Sequence, residues 1–105
     1  MKIVWTDFAI RNLKDIFDCY STRVNKKVAH KIRLQILKSS RQLKYNPNSG
    51  SIDPNLISLN KNHRYLISGY YKLIYRVVED KVVINDVFDT RQDPSKMIDE
   101  KRKTK

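Results

Sequence analysis

The strongest constraint on what this chain can fold into is a change of hydrophobic period near its middle. From residue 9 to residue 43 apolar side chains recur every three or four positions. From residue 56 to residue 88 they alternate or form short β-branched and aromatic runs. A period of 3.6 buries one stripe of a helix, and a period of two buries one face of a strand. Helices therefore come first and a sheet follows, an order that does not give the repeated strand–helix alternation of a doubly wound fold. The class expected is α+β: a short N-terminal strand, an antiparallel helical hairpin, then three to four antiparallel strands forming a sheet packed on the helices.

Residues 2 to 5 read as the first strand, and Thr6 or Asp7 is placed to cap a helix running to about Tyr20. Ala9, Leu13, Ile16, Phe17 and Tyr20 form its buried stripe. After a polar connector over residues 21 to 25, a second helix is expected from Lys26 to Leu43, with Val28, Ala29, Ile32, Ile36 and Leu37 continuing the stripe. So short a link makes an antiparallel pair. Asn46 to Gly50 and Asp53-Pro54 break regular structure. Strands are then expected at Leu56 to Leu59, Arg64 to Ile67, Tyr70 to Val78 and Lys81 to Phe88, the last two joined through Glu79-Asp80. The sheet is expected to be antiparallel, covered by the helices on one side and open on the other.

Charge narrows the choice of partner. Lys and Arg number 22 against 11 Asp and Glu, and the last ten residues hold five of the cations against two acids, so residues 1–95 keep +8 of the net +11. The expected organisation is one domain over residues 1–94 and a basic, mobile tail over 95–105. A field of this size favours nucleic acid, an anionic surface or an acidic protein. The one cysteine, Cys19, gives no disulfide framework, and no Cys/His spacing suits a metal. Polar Thr6 and Asp7 follow directly on the apolar start, so neither a leader nor a membrane span is expected, and a reducing cytoplasm fits. No cofactor is expected.

Alternation along Tyr71 to Val78 puts Leu73, Tyr75 and Val77 on one face and Lys72, Ile74 and Arg76 on the other. If the first set packs on the helices, Lys72 and Arg76 stand on the open face. His63 or Arg64 from the preceding strand and Arg91 from beyond the last would join them there. Such a cluster would bind phosphate.

The stretch Ser68-Gly69-Tyr70-Tyr71-Lys72-Leu73-Ile74-Tyr75-Arg76-Val77, followed by Val82 to Arg91 with Val87-Phe88-Asp89-Thr90-Arg91-Gln92, resembles the C-terminal hairpin of RelE/ParE toxins. Trp5-Thr6 with Ala9, Leu13 and Ile16 is similar to their first strand and helix, and Asn46-Pro47 with Gly50 falls where they often carry Pro and Gly. The resemblance spans Met1 to about Pro94. It implies a toxin held in check by a cognate antitoxin, with one of two activities. RelE-like members cleave messenger RNA in the ribosome without a metal, and ParE-like members inhibit DNA gyrase and are not enzymes. On the first pattern, taken as the leading expectation, Lys72 and Arg91 would stabilise a phosphorane and His63 would move a proton. Lys61, Arg64 and Arg76 would hold flanking phosphates. Two features lean to the second. Residues 92–105 lack the Tyr or His that many of the nucleases carry there, and Asn12 to Phe17 looks closer to the ParE side.

Overall fold

The computed structural model describes residues 1–59 and 61–92, the side chains of residues 57 and 58 excepted. The expected basic tail lies outside the described residues. Strand β1 (Lys2–Trp5) leads into helix α1 (Asp7–Arg23) and helix α2 (Lys26–Arg41), after which the chain tightens into a 3₁₀ turn at Gln42–Lys44. Strand β2 (Ser51–Ile52), a second 3₁₀ segment (Pro54–Leu59), and strands β3 (Arg64–Ser68), β4 (Tyr71–Val78) and β5 (Lys81–Asp89) complete it.

Both helices begin where the side chains can satisfy the orphaned N–H groups. Thr6 Oγ1 accepts from the Ala9 amide at 3.1 Å, and Asn25 Oδ1 accepts from the Val28 amide at 2.9 Å. The connector is only Val24-Asn25, shorter than the sequence suggests, because α1 continues through Arg23. The pair packs antiparallel, and its stripes close on the sheet in two groups. Ile36 meets Tyr71, Leu73 and Val87, with Leu13, Ile16, Tyr20 and Ile32 around them. Ala9 and Leu43 meet Tyr75, Val82 and Ile84 beneath Trp5.

The five strands lie in the order β1-β5-β4-β3-β2. Strands β3 to β5 are antiparallel neighbours, as expected; the short β2, in a stretch read as a loop, adds antiparallel to β3, and β1 joins parallel to β5. The hairpin carries the chain across the sheet after β1, so the first and last strands meet side by side and run the same way. A bulge places Asn85 between the pairs Ile74–Asp86 and Tyr75–Ile84. That extra residue explains why the helix-facing positions of β5 run Val82, Ile84, Val87 instead of strictly alternating.

The expected strand at Leu56 to Leu59 does not form. Pro54 has no N–H for a ladder and its fixed φ suits the first position of a helical turn. Asp53 starts that turn by accepting from the Asn55 amide at 2.9 Å through Oδ1 and from the Leu56 amide through its carbonyl. This segment lays Leu56 over Ile74 and Phe88, so the face expected to be open carries a small core of its own. The loop before β2 is held by close packing at Gly50, whose N–H donates to the Tyr75 hydroxyl at 2.9 Å. A Cβ there would lie 2.5 Å from the Tyr65 carbonyl, which leaves room for glycine alone.

Candidate functional site

Six basic side chains were expected to converge on one surface, and the strands distribute them over four places. Lys72 sits on β4 opposite Phe88, so it shares the face of the Leu56 cluster. Its ammonium lies 3.4 Å from Asp53 Oδ2 and 4.4 Å from the Tyr65 ring centre. The Asp53 side chain is fully buried and that of Lys72 is 14% exposed. Lys72 is thus a partnered cation under the 3₁₀ segment, held by a carboxylate where a phosphate oxygen was expected.

Arg91 is on the other side. Its anchor, Asp89, pairs with Tyr71 one step beyond the Lys72–Phe88 pair, and successive residues of a strand point to opposite faces. Arg91 Nε and Nη2 donate to the two Asp89 oxygens at 2.9 and 2.8 Å, a two-pronged contact, and the guanidinium covers the Tyr70 ring at 4.7 Å. The contact lowers the Asp89 pKa below its ordinary 3.8 and raises that of Arg91, which Tyr20 also helps to raise. Close by, burial and a 3.2 Å hydrogen bond to the Tyr20 hydroxyl push the Tyr71 phenol up, so it stays protonated at neutral pH. Lys72 and Arg91 therefore do not meet, and the single phosphorane-stabilising pair expected from the sequence is not assembled.

Arg64 also leaves the cluster. It pairs with Tyr75 on the helix-covered face and donates to the Gly50 carbonyl at 2.7 Å, fastening the loop at the sheet edge.

The other three come together. Lys61, His63 and Arg76 line an open cleft of about 470 Å³ on the face away from the α2 core, beside the N-terminus of α1. Arg76 Nε donates to the Lys61 carbonyl at 3.2 Å, which ties β4 to the approach to β3 and aims the guanidinium. His63 is nearly buried, and its carbonyl accepts from the Asp53 amide at 2.8 Å. The floor is apolar, built from Ile74, Leu56, Leu59 and Phe8. Asp86 borders the cleft, its Oδ1 accepting from Asn12 Nδ2 at 2.8 Å. Chemically the cleft offers an apolar seat with basic groups along one wall.

Asp53 and Asp86 were not singled out in the sequence, although Asp53 holds Lys72 and Asp86 sets a carboxylate at the border of the cleft. The signal for Asp86 was present as a carboxylate interrupting the apolar run of β5. For Asp53 it was hidden in a dipeptide that reads only as a chain break. Among the described residues no group of acidic, His and Cys side chains is arranged to hold a metal, and no helix is long and apolar enough to cross a membrane.

A helical hairpin backed by a five-stranded sheet, with a C-terminal β4–β5 hairpin of this sequence, defines a RelE/ParE-superfamily domain. Residues 3–94 match the family described as ParE toxin of type II toxin-antitoxin system, parDE, and the chain belongs to that family. A solved structure described as the chromosomal ParDE TA system from P. aeruginosa shares the fold, with a TM-score of 0.69 at 22% identity over 85% of this chain and 95% of that one. No curated protein matches the sequence. Membership makes the protein a toxin of a type II toxin-antitoxin pair and gives it a cognate antitoxin as partner.

Proposed function

We propose that this toxin acts in the cytoplasm by binding DNA gyrase and stopping it, without cutting RNA, and that the antitoxin prevents the contact. The observation that carries the reading is the fate of the two expected catalytic cations. Lys72 is paired with Asp53, Arg91 is paired with Asp89, and the two lie on opposite faces of the sheet. Phosphoryl-transfer chemistry needs charge gathered at one point before the substrate arrives, and here two acids already hold these cations apart. The contact surface on this reading is the outer face of α2, where Lys27, Lys31 and Lys38 flank Leu34, 55% exposed. An apolar centre with a charged rim suits a protein partner.

Supercoiling by gyrase in the presence of the purified protein tests it, beside a reaction containing ribosomes and a translated messenger. The expected result is loss of supercoiling with the messenger intact, and weaker inhibition by Leu34→Asp. Supercoiling that continues at saturating protein ends the proposal.

One observation favours a second reading, ribosome-dependent messenger cleavage. Lys61, His63 and Arg76 share the cleft. There Arg76 and Lys61 would hold a phosphate while His63 moves a proton during attack by the 2′-hydroxyl, with no metal needed. Lys72 and Arg91 would contribute only after release from their acids. Messenger cut by the protein and spared by His63→Ala would establish it.

A further inference from the structure

We propose that the outer face of α2 grips the phosphate backbone of double-stranded DNA, so that the toxin meets gyrase on the duplex the enzyme holds. The second clause rests on the gyrase reading above; the DNA contact itself does not. Between Asp18 and Asp53 the chain has eight Lys and Arg and no acid, so this stretch holds +8 of the net +11. On α2 the cations are aligned. Lys27, Lys31, Leu34, Lys38 and Arg41 follow one another at steps of four and three, all exposed, opposite the buried Ala29, Ile36 and Ser40. Such spacing keeps side chains on one ridge, and the row runs about 21 Å along the helix. A straight, rigid row of charges matches the regular phosphates of a duplex, each strand of which carries one charge per about 3.4 Å of axis.

The row destabilises the helix that carries it. Helix α1 opens on Asp7 and pairs Lys14 with Asp18 at 3.5 Å, whereas α2 sets Lys26 and Lys27 in its first turn, against the positive end of its dipole, with no acid there. Lys27 and Lys31, one turn apart, repel each other. Among the described residues no carboxylate pairs with a cation of this row. Charges that weaken their own element and are not neutralised within the chain are placed for a polyanion.

Two rival polyanions fit less well. Single-strand readers stack bases on aromatic rings, and α2 has no Phe, Tyr or Trp. Leu34 gives gyrase an apolar anchor at the centre of the row, but the cations extend past it on both sides. An acidic patch of protein would have to run straight for the same length to match them. A duplex has that form already.

The test measures binding of the full-length toxin to a short fluorescein-labelled DNA duplex of mixed sequence by fluorescence anisotropy, without gyrase, across a salt series. The expected result is an affinity that falls with salt at a log–log slope of about −3.6, the value for four phosphate contacts. Lys27→Glu combined with Lys31→Glu should weaken binding about tenfold or more and make the slope shallower by about 2. Lys2→Glu combined with Lys81→Glu, both exposed and on strands β1 and β5, changes the net charge equally and should leave binding nearly unchanged. A glutamate in the first turn of α2 suits the dipole, so the α2 double variant should unfold at the parent's urea midpoint or above it, which separates lost contact from misfolding. Duplex binding that is absent, that ignores the α2 pair or that falls equally with the control pair overturns the proposal, as does tighter binding to a single strand of equal length. Gyrase inhibition lost in the α2 variant of a toxin that binds no duplex would assign the row to an acidic surface of the enzyme instead. A toxin that binds duplex as expected yet leaves gyrase running would remove the proposed target while the DNA contact stands.

Discussion

The two sides of the sheet are closed by different means. On one, two helices of about four turns each lay continuous stripes over Tyr71, Leu73, Tyr75, Val87 and Ile84. On the other, a single 3₁₀ segment contributes Leu56 to a cluster of three buried residues and pins itself down with the Asp53–Lys72 pair. The first cover is redundant, since no one side chain provides most of it. The second depends on a few contacts, and its Leu56 and Leu59 end as part of the cleft lining. A small domain has a thin core, and the place where its cover ends is where apolar surface remains for a partner.

The largest expected effect comes from truncating one leucine on each side. Leu73→Ala should cost about 4 kcal/mol and Leu56→Ala about 2 kcal/mol, because a rigid helix pair leaves the cavity open while a short segment settles into it. Urea denaturation followed by Trp5 fluorescence measures both. Equal losses would break the contrast between the two covers.

Next in size is the ion pair. Asp53→Asn should destabilise by about 2 kcal/mol, less than a fully buried pair loses, because Lys72 retains some access to water. Adding Lys72→Met to Asp53→Asn should recover part of that loss, since the unmatched ammonium is removed. A double-mutant cycle that shows no coupling would mean that Asp53 works only as the start of the 3₁₀ turn and that Lys72 is dispensable to the fold.

What could be read from the sequence follows the same division. The hairpin stripes, the caps at Thr6, the faces of β4 and the Glu79-Asp80 turn were legible because each follows from a local period or a local hydrogen bond. The face under the 3₁₀ segment was not. Alternation says that Lys72 and Arg76 leave the helix side, but it says nothing about which distant loop arrives to meet them, and Asp53 is brought there by long-range packing. The bulge at Asn85 hides in the same way, because one inserted residue changes which later positions face inward. Arg91 was misplaced for a third reason. It follows the last strand, and a nearby Asp89 captures it before a more distant group can.

The smallest effect sharpens the comparison between the two ion pairs. Asp89 has its pKa lowered in the folded protein, chiefly by hydrogen bonds from Arg91, relative to an ordinary value of 3.8. A depressed carboxylate adds stability that is fully present above its unfolded pKa and disappears as the pH falls through the lower folded value. Arg91→Gln should therefore be less stable than the parent at neutral pH by about 0.5 kcal/mol, small because the Arg91 side chain is half exposed and solvent screens the pair. The difference should hold down to the region of 3.8 and close below it. It should also shrink in molar salt, while the loss caused by Asp53→Asn, beneath the 3₁₀ segment, should change little. Denaturation curves for the parent and both variants across pH and salt measure this directly. An Arg91→Gln deficit that survives both acid and salt would show that Arg91 stabilises the sheet end through its stacking on Tyr70, with the Asp89 contact contributing nothing measurable.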